Sequence, residues 1–155
     1  MNVSIDLRVE NKGWDRIPDL ETLCQNAVAQ AVKYAGVLGA VEVDILLSDN
    51  EELAELNHNW RDKAGPTDVL SFPADAREKP FIGDIAVAFG VAHLDADTSG
   101  TPFRAHLTHL IVHGVLHLLG YDHQNDEDAH DMETLERDVM EALGYADPYS
   151  RIEQS

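Results

Sequence analysis

The chain has 155 residues, enough for one domain over residues 1–155 built round one core. With 11 Lys and Arg against 29 Asp and Glu, its formal charge of -18 excludes a partner held by a uniformly basic surface. A hydrophobic fraction of 44% excludes disorder throughout, and the one cysteine, Cys24, leaves no disulfide partner within the chain.

Val3, Ile5, Leu7 and Val9 alternate with Ser4, Asp6, Arg8 and Glu10, the period of a half-buried strand. This opening segment has no apolar run of the secretory kind, so a reducing, cytoplasmic compartment is expected. Leu20, Leu23, Ala27, Ala31 and Tyr34 recur at steps of three and four between Pro18-Asp19 and Gly36, which predicts an amphipathic helix. Val41, Val43, Ile45 and Leu47 predict a second strand. Ser48 and Glu51 are spaced as a capping box for a short helix carrying Leu53 and Leu56 and ending near Asn57 or His58. A turn over Lys63 to Pro66 leads to a short strand over Val69 to Phe72, then a polar loop from Ala74 to Pro80 and a strand from Ile82 to Ala88. Thr101 and Pro102 read as N-cap and first residue of a long apolar helix stopping at Gly120. A last helix carries Met132, Leu135, Glu136, Val139, Met140 and Leu143 before Gly144. Strands mixed with helices, without regular βαβ alternation, repeats or a linker, predict an α+β domain of about four strands. The uncharged stretch from Ala105 to Tyr121 contains four histidines, which a soluble helix with one polar face accommodates and a lipid-buried one does not, so no membrane association is expected.

The strongest signal lies at His113-Gly114-Val115-Leu116-His117-Leu118-Leu119-Gly120-Tyr121-Asp122-His123. Two histidines four apart lie one above the other on a helix, where both imidazoles can converge on one ion. Gly120 lets the chain leave the helix and turn sharply, bringing back His123 as a third ligand. Three imidazoles leave a fourth position on zinc for water, the open arrangement of catalytic rather than structural sites. His106 and His109 continue the face upstream as groove residues or supports for the ligands; His58, His93 and His130 stand alone. Asp122 either orients an imidazole or caps the turn. The spacing matches that of metzincin proteases, but position 114 holds Gly where those enzymes have the Glu that acts as general base. The geometry of a zincin is present and its peptidase chemistry is missing.

The segment His113 to His123, together with Asn57, Arg61 and the run from Pro66 to Pro73, closely resembles the bacterial YbeY family of metal-dependent endoribonucleases. Gly83-Asp84-Ile85, the acidic Ala129-His130-Asp131-Met132-Glu133 and Leu143-Gly144-Tyr145 extend the resemblance over nearly the whole chain. It implies a zincin-like α+β fold and a single-strand-specific RNase that matures the 3′ end of small-subunit ribosomal RNA and serves ribosome quality control. It further implies one Zn2+ per chain, held by His113, His117 and His123, and partners in RNA, the ribosome and ribosome-associated proteins. Arg104 departs from the family, where an acidic residue is expected before Ala-His, and its effect falls on the charge of the groove.

On residues alone Arg61 reads as a surface arginine paired with Asp62 or an acid of the preceding helix; the resemblance reverses this and makes it the catalytic arginine. Phosphodiester cleavage builds negative charge on the phosphate oxygens, and a guanidinium can hold them bidentately. Lys63, Thr67, Asp68 and Ser71 are candidate substrate-binding residues, although a turn and strand start would also explain their types. Phe72 is a candidate base-stacking residue or a core residue. Competing readings are a zinc peptidase, disfavoured by Gly114, and a non-catalytic ribosome-assembly factor with a zinc site. The charge is unevenly spread: residues 58–121 carry 5 basic and 7 acidic groups, against 4 and 11 in residues 1–57 and 2 and 11 in residues 122–155. RNA is therefore expected to meet a local groove while the acidic remainder repels it.

Overall fold

The computed structural model describes residues 3–10, 13–14, 17–52, 69–121 and 126–149. Four strands, β1 (Val3–Val9), β2 (Val41–Ser48), β3 (Val69–Pro73) and β4 (Phe81–Ala88), form one sheet in the order β1-β2-β4-β3. The first three in that order run parallel, and β3 lies antiparallel to β4 at the edge. Among the described residues the helices with defined bounds are α1 (Leu20–Tyr34), α2 (Phe89–Ser99), α3 (Phe103–Leu118) and α4 (Asp126–Ala142). This is the expected α+β architecture with a mixed sheet. Among the described residues, no helix is long and apolar enough to cross a membrane.

The strands carry the period-2 pattern into three dimensions. Val41, Val43, Ile45 and Leu47 of β2, with Ile85 and Val87 of β4, are buried in one cluster with α1, α3 and α4. The alternate residues face the other way, and the register sets Asp6 beside Asp44, Asp44 beside Asp84, and Asp84 beside Phe72 in one row across the sheet. Helix α3 is the centre of the packing, with Leu107, Ile111, Val112, Val115 and Leu116 all fully buried. Each such side chain contributes roughly 1.5–3 kcal/mol by leaving water, so together they far exceed the cost of about 1 kcal/mol for Gly114 within the helix.

Three local expectations are displaced, each for a physical reason. The cap after β2 is Asp49 rather than Ser48: its Oδ1 accepts the Glu52 N–H at 2.8 Å, while the Ser48 hydroxyl donates to the Glu52 carboxylate. Leu53 and Leu56 lie outside the described residues. Pro102, not Thr101, occupies the N-cap position of α3, with no side-chain cap bond, and the Thr101 hydroxyl instead accepts from Ser99 at 2.9 Å. The polar loop from Ala74 to Pro80 contains a turn of 3-10 helix, Ala76–Glu78, capped by Asp75.

Helix α2 has no counterpart in the sequence expectations. Its apolar residues are spread around the helix, with Leu94 64% exposed, so no single stripe announces it. Its N-terminus is held from a distance, by Asn50 Oδ1 accepting the Val91 N–H at 2.9 Å. Gly90 permits this approach, since a Cβ there would sit 2.5 Å from Asn50 Nδ2.

Arg104 in the first turn of α3 pairs bidentately with Asp19, the N-cap residue of α1, at 2.5 and 2.6 Å. The pair ties the starts of two helices together, and the Arg104 guanidinium holds the Asp19 carboxyl below its usual range. The departure at position 104 thus serves helix packing.

Cys24 is wholly buried on α1, where burial first and Glu21 second push its thiol up to about 12. A disulfide-exchange reagent at pH 8 is therefore expected to leave native protein unlabelled and to modify Cys24 once denaturant is added. Rapid labelling of the native protein would contradict the burial.

Candidate active site

One helix carries the described candidate ligands, and an edge strand faces them. Helix α3 carries His109, His113 and His117 at intervals of four, and the rings line one face and meet edge-to-face, with centroids 6.4 Å apart for the first pair and 4.6 Å for the second. The helix ends in a Schellman turn: Tyr121 N–H donates to Leu116 O and Gly120 N–H to His117 O, both at 3.0 Å. Gly120 supplies the positive φ of +105° that this turn requires. Opposite stands the edge strand β3, whose alternate residues Val69, Ser71 and Pro73 face the histidines. Between these walls is a cavity of about 430 Å³, lined also by His113, His117, Gly120 and Tyr121. Three of the sequence-derived site residues, His113, His117 and Ser71, are thus brought together. His123, Arg61, Lys63, Thr67 and Asp68 lie outside the described residues, as do Asn57, His58 and Asp122.

A somewhat larger cavity of about 480 Å³ lies over the row of Asp6, Asp44, Asp84 and Phe72. Among the described residues no histidine lines it. Burial first, and neighbouring acids second, raise the carboxyl pKa of both Asp44 and Asp84. Arg8 is the cation in the cavity's described lining, against three aspartates. Phe72 flanks the acidic row and packs against a small cluster of Leu70, Ala86 and Ala88, which removes it from the histidine pocket.

Glu136 is the functional residue that sequence reasoning missed. Its side chain is fully buried on α4, where it sits between the two upper histidines of α3. Oε1 accepts from His113 Nδ1 at 3.0 Å, and Oε2 accepts from His109 Nε2 and from the Tyr149 hydroxyl at 2.6 Å. Burial acts to raise its pKa, but the donated bonds from His109 and His113 outweigh it and bring the group down to about 2. Tyr149 is shifted upward, by burial and then by Glu136, so it stays a donor. One signal was available: an acid in the middle of the stripe formed by Met132, Leu135, Val139 and Met140 faces the core and must find partners there.

His109 therefore supports His113 through Glu136, whereas His106 does not join this network. Among the described residues the buried His106 Nε2 has no hydrogen-bond partner, and burial, then His109, lowers its pKa. His93 stacks on Phe89 and pairs with Asp97 at 3.5 Å, a structural role.

Gly114 faces the sheet. A Cβ at this position would lie 3.1 to 3.2 Å from three side-chain atoms of Ile85, so any longer side chain would be driven into β4, far from a role as general base. Among the described residues no group of three or more His, Cys, Asp or Glu is arranged to hold a metal. The donor chemistry of the part described nevertheless fits one: two imidazoles packed edge-to-face share a cavity wall, and in His113 the nitrogen bonded to Glu136 is Nδ1, so a metal ligand there would bond through Nε2.

The model of the family described as endoribonuclease YbeY matches residues 8–144. The chain belongs to the YbeY endoribonuclease family. Curated YbeY relatives include one from Methylocella silvestris, 40% identical over 96% of this chain and 87% of its own, and one from Bradyrhizobium diazoefficiens, 44% identical over 88% and 80%. A third, from Bartonella bacilliformis, is 36% identical over 97% of this chain and 99% of its own. The fold matches the solution structure of TM1509 from Thermotoga maritima with a TM-score of 0.65 and 28% identity, covering 97% of this chain and 92% of that one. In this YbeY chain, Gly114 is a packing residue.

Replacing Gly114 with Ala is expected to destabilise the fold by about 1 kcal/mol, because an overpacking cost of roughly 1–3 kcal/mol exceeds the roughly 1 kcal/mol of helix propensity gained. Urea unfolding measures this, and the same substitution made in an Ile85→Ala background should become favourable. If it costs as much there, contact with Ile85 is not its cause.

Proposed function

We propose that this chain is a single-strand-specific, zinc-dependent endoribonuclease of the cytoplasm, acting in maturation of the 3′ end of small-subunit ribosomal RNA and in ribosome quality control. Its partners on this reading are ribosomal RNA, the ribosome and ribosome-associated proteins. The observation that carries the reading is that His113 and His117 share one wall of a cavity whose other wall is formed by Ser71 and its neighbours on β3. Membership of an endoribonuclease family supplies the reaction class.

His113, His117 and His123 hold the ion. When bound there, zinc would supply Lewis-acid chemistry toward a phosphate oxygen. Arg61 grips the phosphate through its guanidinium and offsets the charge that develops on it. Lys63 adds a second cation, and Thr67, Asp68 and Ser71 orient the strand through hydroxyl and carboxylate contacts. Ser71, only 7% exposed, is a fixed rather than a mobile wall of the cavity. The acidic row of Asp6, Asp44 and Asp84 repels the phosphate backbone from the opposite face of the sheet, leaving the histidine cavity as the place where RNA enters.

The test compares wild type, His117→Ala and Arg61→Ala for zinc content and for cleavage of labelled single-stranded and duplex RNA. His117→Ala is expected to lose zinc and activity together. Arg61→Ala should keep zinc and cleave about a hundredfold more slowly. Chelation should stop cleavage and added zinc restore it. A wild-type protein that binds zinc but cuts no RNA, or an Arg61→Ala variant as active as wild type, contradicts the reading; the former outcome favours an assembly factor.

A further inference from the structure

We propose that Glu136 is the positioning residue of the metal centre, and that Tyr149, on the segment after α4, holds Glu136 in the required orientation. The inference rests on the reading of His113 and His117 as ligands. It concerns how one of those rings is set before any ion arrives.

Glu136 collects three donors on two oxygens: His113 Nδ1 on one, His109 Nε2 and the Tyr149 hydroxyl on the other. An ionised carboxylate is acceptor-only, so whichever nitrogen of His113 faces it carries the ring's proton. Nδ1 faces it. The lone pair of the neutral ring is therefore on Nε2, and a metal ligand needs its lone pair on the bonding nitrogen. A carboxylate is also what the arrangement demands. A glutamine in the same place offers one acceptor oxygen, and its NH₂ would confront at least one donor that now points at an oxygen.

Core packing alone does not account for this residue. Its neighbours Met132, Val139 and Met140 on α4 are all buried apolar side chains, and an apolar residue at 136 would complete their stripe without desolvating a charge. The burial of a carboxylate here is explained by the ring it orients. Its own geometry is secured from the far side. The Tyr149 ring meets His109 edge-on at 5.6 Å, and its backbone N–H donates to Asp147 Oδ1 at 2.8 Å. Arg137 donates to the same Asp147 at 3.3 Å and lies over the Tyr149 ring at 5.4 Å. The segment from Asp147 to Tyr149 is thereby fastened to α4 one residue beyond Glu136, and the phenol is delivered to the carboxylate.

The test measures zinc affinity by competition with a chromophoric chelator for wild type, Glu136→Gln, Tyr149→Phe and His117→Ala. Circular dichroism and thermal unfolding of the zinc-free proteins accompany it, with ¹⁵N imidazole spectra of zinc-free protein at a pH where the rings are neutral. Glu136→Gln is expected to fold and to bind zinc about 10- to 100-fold more weakly, and Tyr149→Phe to weaken it by a smaller factor. Wild-type His113 should carry its proton on Nδ1, and Glu136→Gln should lose that single tautomer. Folding stability alone moves neither the tautomer nor the affinity of a folded variant. A folded Glu136→Gln with wild-type affinity and an unchanged His113 tautomer overturns the proposal. Should that variant fail to fold, Tyr149→Phe and the wild-type spectrum decide. Weakened zinc binding with Nδ1–H supports the proposal, whereas unchanged binding or a proton on Nε2 overturns it. The ligand reading fails separately, if His117→Ala binds zinc as wild type does.

Discussion

The close approach of α3 to β4 at Gly114 sets the direction of every other side chain on that helix. With Cβ absent, the helix backbone settles against Ile85, and a turn of about 100° per residue then fixes where its neighbours point. Leu107, Ile111 and Val115 go into the core, while His113 and His117 emerge toward β3. The glycine that removes the peptidase base from the zincin spacing is therefore also the residue that lets α3 lie close against β4. A larger residue would push the helix off the sheet and change the width of the cavity beneath Ser71.

The site depends on a second constraint that runs the other way, from the core outward. A carboxylate buried among methionines and valines must be fully paired, and Glu136 is paired with groups of α3 and of the segment beyond α4. Core and site are consequently joined at one residue. Charge follows the same economy of placement: anions crowd the open face of the sheet and the chain ends, and Arg104, which the sequence left in the groove, is committed to Asp19 between two helix starts. What reaches the cavity is local rather than global charge.

The elements that were legible in the sequence are those with one wet and one dry face. β1, β2 and α1 obey simple periods because a single side of each meets the core, and the histidine pair was legible because four residues make one turn. α2 was illegible because its small apolar residues surround it and its cap comes from Asn50, 41 residues away. The caps at Ser48 and Thr101 were each misplaced by one position: Asp49 competes beside Ser48, and the Thr101 hydroxyl is taken by Ser99 while Pro102 holds the cap position without a side-chain bond. Glu136 was visible as a helical residue and invisible as a site residue. Its partners lie 27, 23 and 13 positions away, and nothing local distinguishes a paired buried acid from a solvated one.

The most direct measurement of the central claim is a zinc-edge anomalous difference map from crystals grown with zinc. The expected result is one strong peak per chain at about 2.0–2.1 Å from His113 Nε2 and from a ring nitrogen of His117, with Glu136 still bonded to Nδ1 of His113. A peak bound instead by His109 and Glu136, by the aspartates of the open sheet face, or by no histidine of α3 would contradict it.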